Sequence, residues 1–186
     1  MARIDDLLHQ YERQVSLPWD RKLAGVQRVW FVVYDKTDER RLRARLGDFE
    51  LKTKQAGHGW ILHDVSDVFA RWMAGHKYRD GYFQTPEHLD SAMGNFRDTT
   101  VQGLQAILRQ AAVDQDTVVA VQGVACLFGF LRVSDLVNAV EADIRGRLVV
   151  FFPGEYDNNN YRLLDARDGW NYQAIPITPY QGASLE

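Results

Sequence analysis

Residues 28–34, RVWFVVY, place six large apolar or aromatic side chains in a row behind one arginine. Successive strand residues point to opposite faces, so a strand without polar alternation has to be covered on both. That condition is met in the middle of a mostly parallel sheet with helices above and below it. Residues 117–122 (TVVAVQ) and 147–152 (RLVVFF) repeat the pattern, and residues 60–63 (WILH) are a shorter strand candidate. Helical periods separate these runs, and the alternation of the two predicts a layered α/β chain.

The helices are predicted from spacing and punctuation. Ile4, Leu7, Leu8, Tyr11 and Val15 share one face of a helix over 3–15; Leu42, Leu46 and Phe49 line another, which stops before Gly57. Ser66 is the expected N-cap of a helix through Trp72 and Met73, and Ser134 of one carrying Leu136, Val137, Val140 and Ile144 and ending at Gly146. The polar residues 75–82 break the pattern. Thr85-Pro86-Glu87 marks the start of a helix that keeps its period through Leu89, Met93, Phe96, Thr100, Leu104 and Leu108, with a kink expected at Gly94 or Gly103. Two weaker strands are expected at 161–165 and 172–177. The whole reads as one α/β domain over 1–186: a mostly parallel central sheet flanked by helices, Rossmann-like without a nucleotide-binding loop. Leu185-Glu186 are set aside as vector-derived.

Composition narrows the class. The 186 residues are 46% hydrophobic and 25% charged with a net charge of −3, which excludes disordered and collagen-like chains and does not suit a dedicated nucleic-acid clamp. The one cysteine, Cys126, forms no internal disulfide and sits in an apolar run where a buried thiol is expected. The charged first 14 residues do not read as a signal peptide, and no run approaches a membrane span, so a cytoplasmic protein is expected.

No constellation for catalysis emerges, and no cofactor is implied. The turn after the first buried strand, Asp35-Lys36-Thr37-Asp38, lacks glycine and carries two acids, where a phosphate-binding turn needs backbone N–H groups free to approach the anion. His58 and His63 with Asp64 resemble a metal cluster, but five residues apart on a strand the imidazoles point to opposite faces. Glu50-Leu51-Lys52 has nuclease-like spacing, yet falls in a helical pattern that separates the two groups by about 200°. Arg40, Arg41, Arg43, Arg45, Lys52 and Lys54 are interspersed with acids and read as a solvated helix face rather than a DNA contact.

The segment after the last apolar run is different in kind. The chain is expected to leave the sheet at Pro153-Gly154 into a loop of Glu155, Tyr156, Asp157, Asn158, Asn159, Asn160 and Tyr161, supported by a turn containing Arg167, Asp168, Trp170 and Tyr172. Emerging from a strand's carboxyl end with tyrosines and polar groups, it is either a recognition surface or a structural turn whose tyrosines pack back on the sheet.

Four stretches carry a family resemblance: RID at 3–5 through VSLPW at 15–19, RVWFVVYD at 28–35, KQAGHGW at 54–60, and FFPGEYDNNNYRLLDARDGWNYQAIPI at 151–177. Together they resemble the BrxB family, a small component of BREX bacteriophage-exclusion systems. The resemblance implies a cytoplasmic bacterial protein that works beside a methyltransferase, a BrxC-type ATPase and the alkaline-phosphatase-like PglZ. It implies no catalytic residues. Two functions follow from it: a non-enzymatic adaptor binding PglZ or BrxC, or a degenerate nucleotide- or nucleic-acid-binding module in the same system.

Overall fold

The computed structural model describes residues 2–164, 166–170 and 173–179. Helix α1 (Ala2–Ser16) leads through a 3-10 turn into strand β1 (Val29–Tyr34), all six of whose residues are buried. Helix α2 (Glu39–Gln55) and strand β2 (Gly59–Asp64) follow, then α3 (Val68–Gly75), α4 (Arg79–Gln84) and α5 (Met93–Leu108). Strand β3 (Thr117–Gln122), α6 (Val133–Val140), β4 (Arg147–Asp157) and the short strands β5 (Asn160–Leu163), β6 (Ala166–Trp170) and β7 (Ile175–Ile177) complete the described order.

The parallel sheet runs β2-β3-β4-β1-β7. Its period of two divides the core. Trp30, Val32, Tyr34, Val118, Ala120, Val149 and Phe151 face α1 and α2, where Tyr11 and Phe49 pack with ring centroids 5.1 Å apart and Phe49 meets Phe151 edge-on at 5.0 Å. Phe31, Val33, Val119, Val121, Leu148, Val150 and Phe152 face the opposite layer, filled by Phe96, Leu104 and Leu108 of α5 and Leu136, Val137 and Val140 of α6. The layered α/β arrangement is the one the uninterrupted apolar runs demand. Among the described residues, no helix is long and apolar enough to cross a membrane.

Several boundaries fall elsewhere than the sequence suggests. The polar stretch 75–82 contains the start of α4. Thr85 makes no side-chain cap; Pro86–Ala92 winds as a 3-10 helix that turns Leu89 and Ala92, three residues apart, toward the core, and the break comes at Ala92/Met93 rather than at either glycine. Ser66 is not the cap of α3, because the Asp64 carboxylate takes the Ser66 N–H at 2.8 Å and delays the helix to Val68. Ser134 is buried inside α6, which begins one residue before it and ends at Val140. Cys126 is exposed. It lies on a 3-10 turn, Val124–Leu127, whose inward residues are its two ends.

Gly123 joins β3 to that turn with φ of +82°, and a Cβ there would lie 2.2 Å from Ser66 Oγ and 2.8 Å from Ser66 N. Gly123→Ala therefore combines left-handed strain with a backbone clash, and a loss of about 2 kcal/mol or more is expected. A urea midpoint that falls with an unchanged slope is the result to look for; an unchanged midpoint contradicts this packing.

Candidate docking surface

The carboxyl ends of the parallel strands gather most of the distinctive polar chemistry. On the β1–β2–β3 side this chemistry is internally paired. Tyr34 Oη donates to Glu39, Arg43 Nε donates to Glu39 Oε1 at 2.6 Å, and Arg43 also reaches Ser66 Oγ at 2.7 Å. Gln122 Nε2 donates to Asp64 Oδ2 at 2.7 Å. Burial, reinforced by the Glu39 carboxylate, pushes the Tyr34 hydroxyl far above its ordinary range. Partial burial opposes ionisation of Asp64, but the hydrogen bonds from Ser66, the Arg43 charge and Gln122 outweigh it and hold the carboxyl low. The network is a strut tying α2 to three strands.

The turn after β1 is equally self-contained. Asp35 accepts from Thr37 N at 2.8 Å and Thr37 Oγ1 at 2.6 Å, and these bonds lower its pKa. The basic residues of α2 are neutralised locally: Arg41 by Asp38, Arg43 by Glu39, Arg45 by Asp5 and Asp48, Lys52 by Glu12 and Lys54 by Glu50. Glu50 and Lys52 thus serve different partners on one helix, the geometry predicted for that motif. His58 stacks on Trp19 at 3.6 Å, while His63 lies half-buried on the edge strand β2.

On the β4 side the surface opens outward. The chain does not leave the sheet at Pro153-Gly154, and residues 155–160 are not a loop. Pairing with β1 ends at Pro153, and from Gly154 to Asp157 the same strand pairs antiparallel with β5. Gly154 is required where β5 crosses closely, since a Cβ would meet Arg162 O at 1.9 Å. Asn158 and Asn159, with φ of 48° and 60°, form the tight turn, the left-handed pair that asparagine tolerates and that matches strand twist. The segment expected as a second turn is β6, which carries Arg167, Asp168 and Trp170 and pairs with β5. Tyr172 lies outside the described residues, as do Asp165 and Leu185-Glu186.

The two tyrosines separate. Tyr161 is 1% exposed, donates to Ala174 O at 2.8 Å and meets Phe31 edge-on at 4.6 Å. It belongs to the core, as the alternation of Tyr161 and Leu163 with Asn160 and Arg162 could have indicated. Tyr156 stands across the hairpin from it, ring centroids 4.8 Å apart, with its hydroxyl donating to Asn159 Oδ1 at 2.8 Å. Glu155, Asp157, Asn158 and Asn159 are exposed, and Asn160 is half-buried.

Beside the hairpin base lies a pocket of about 510 Å³ that the sequence reading missed. Arg97 of α5, the segment 128–132, Asp135 of α6, and Leu163 and Ala166 of the hairpin strands line it. The signal available was Phe128-Gly129-Phe130, where two aromatics flank a glycine whose φ is +81°.

Removing the buried hydroxyl leaves the Ala174 carbonyl without its donor, so Tyr161→Phe should cost about 1–3 kcal/mol; Tyr156→Phe, losing an exposed bond, should stay within about 0.5 kcal/mol. Equal effects in chemical denaturation would contradict the assignment of one ring to the core and the other to the surface. His63 provides a pH readout. Burial, with a smaller contribution from Arg71, sets its pKa below 6.5 despite the opposing pull of Asp64. The unfolded chain then takes up the proton first, so the contribution of neutral His63 is full above pH 6.5 and is lost as pH falls toward the lower folded value. His63→Gln should flatten the decline in stability between pH 6.5 and 5, and parallel curves for the two proteins would contradict it.

No curated protein and no solved structure matches the chain significantly. A family model described as BREX protein BrxB matches residues 78–177. That span contains all of β3 to β7, the whole hairpin and every described wall of the pocket. It covers more than half of the chain, which belongs to the BrxB family of BREX phage-defence proteins.

Proposed function

We propose that the protein is a non-enzymatic adaptor of its BREX system, acting in the cytoplasm and joining larger components, with the PglZ phosphatase-like protein and the BrxC-type ATPase as its partners. One observation carries the reading: the β4–β5 hairpin continues beyond the layered core and offers exposed Glu155, Asp157, Asn158 and Asn159 beside half-buried Tyr156 and Asn160. An ordered hairpin suits docking because its groups are already fixed. Tyr156 is held to Asn159, and Asn160 Nδ2 donates to Asn158 O at 2.9 Å, so little conformational entropy remains to be lost on association. Tyrosine and asparagine are residues that interfaces use for area and adaptable hydrogen bonding. Arg167, Asp168, Trp170 and Tyr172 are proposed as the flank of this surface.

The experiment is an Asp157→Lys, Asn158→Gly double variant co-expressed with PglZ and BrxC. Glycine accepts the left-handed turn and lysine replaces an exposed acid, so folding stability should change by no more than about 0.5 kcal/mol. Association should weaken at least tenfold, or about 1.4 kcal/mol. Undiminished co-purification removes the hairpin from the interface, and a collapsed melting temperature makes its tip structural.

A further inference from the structure

The pocket beside the hairpin carries the adaptor reading one step further. Its volume of about 510 Å³ is that of a site for a few side chains, smaller than a domain-sized surface. Its floor is apolar and rigid: Leu131 and Leu163 are 8% and 3% exposed, and Phe130 stacks on Phe69 at 4.3 Å with rings 7° apart. At its rim Phe128 is 45% exposed, an unusual position for a phenylalanine inside a family-matched segment.

The charge balance is specific. Arg97 Nε donates to Phe130 O at 2.9 Å, which fixes the guanidinium and leaves its terminal nitrogens for a ligand. Arg132 and Asp135 have no hydrogen bond or ion pair among the described residues. Two guanidinium groups against one carboxylate leave a single net positive charge. That suits one carboxylate, held bidentately by arginine, better than a polyphosphate, which Asp135 would repel. The shape of the wall adds a direction. β6 borders the pocket at Ala166 and has β5 as its one strand partner among the described residues, an open edge along which an extended backbone can pair.

We infer that this pocket receives an extended segment of a partner protein, in which a carboxylate side chain adjoins a large apolar one: the carboxylate between Arg97 and Arg132, the apolar group against Phe128 and the leucine floor. The inference rests on the adaptor reading and names the chemistry of the partner.

The test places the photo-crosslinker p-benzoylphenylalanine at Phe128 of the full chain, in cells expressing the complete BREX operon, and sequences the cross-linked peptide. A peptide with Asp or Glu beside a large apolar residue is expected, with its yield cut at least tenfold by Arg132→Glu and retained in Arg132→Lys. Adducts to a peptide lacking a carboxylate, to a second copy of this chain or to a nucleotide, or no adduct at all, overturn the inference. If the hairpin double variant still abolishes association while position 128 gives no adduct, the pocket assignment falls alone. If neither the hairpin nor the pocket variants weaken association, the adaptor reading falls with it.

Discussion

β4 is the strand on which the rest depends. It pairs with β3 on one side and β1 on the other, and residues 147–153 are buried throughout. Its eleven residues exceed the six of either neighbour. At about 3.3 Å per residue the last four carry the chain some 13 Å past the end of the parallel ladder. Unpaired strand backbone of that length would be costly, and the Asn158–Asn159 turn supplies β5 to cover it. The projecting hairpin is thus a consequence of strand length in a sheet whose register is fixed by burial on both faces.

That argument also explains which features were legible in the sequence. The doubly buried runs identified β1, β3 and β4 because no other arrangement tolerates them, and the long apolar faces identified α1, α2 and most of α5. What failed was punctuation. Pro153 and Gly154 ordinarily end a strand, but here they sit where pairing changes from parallel to antiparallel, and the glycine admits the close approach of Arg162 O. Ser66 and Ser134 have cap chemistry, but a competing Asp64 bond in one case and burial in the other assign them different work. Cys126 was misread because a 3-10 turn buries every third residue, so an apolar run of five does not bury its middle. The pocket was illegible because its walls come from α5, α6 and the hairpin, which no short window of sequence brings together.

Electrostatics divides the carboxyl edge into two halves with different capacities. On the α2 side, each cation except Arg40 has an acidic partner, and the Tyr34–Glu39–Arg43–Ser66 strut occupies the crevice where open α/β sheets commonly take ligands. The amino edge is closed as well. Arg147 is buried against the faces of Trp19 and Trp30 at 4.7 and 5.8 Å and donates to the carbonyls of Gly146 and Asp20. Burial and the nearby Arg28 lower its pKa.

The unsatisfied chemistry is concentrated on the other half. Arg132 and Asp135 stand without partners beside exposed Phe128, and the hairpin tip spends its hydrogen bonds on holding its own shape. A catalytic centre needs groups held against one another, as nucleophile to base or acid to base. This surface instead keeps its charged groups apart and its aromatic ring in solvent, on a scaffold stiffened by a sheet packed on both faces. Separation of that kind wastes interaction energy in the isolated protein and is recovered only when a second molecule supplies the missing partners, which is the physical signature expected of a docking face.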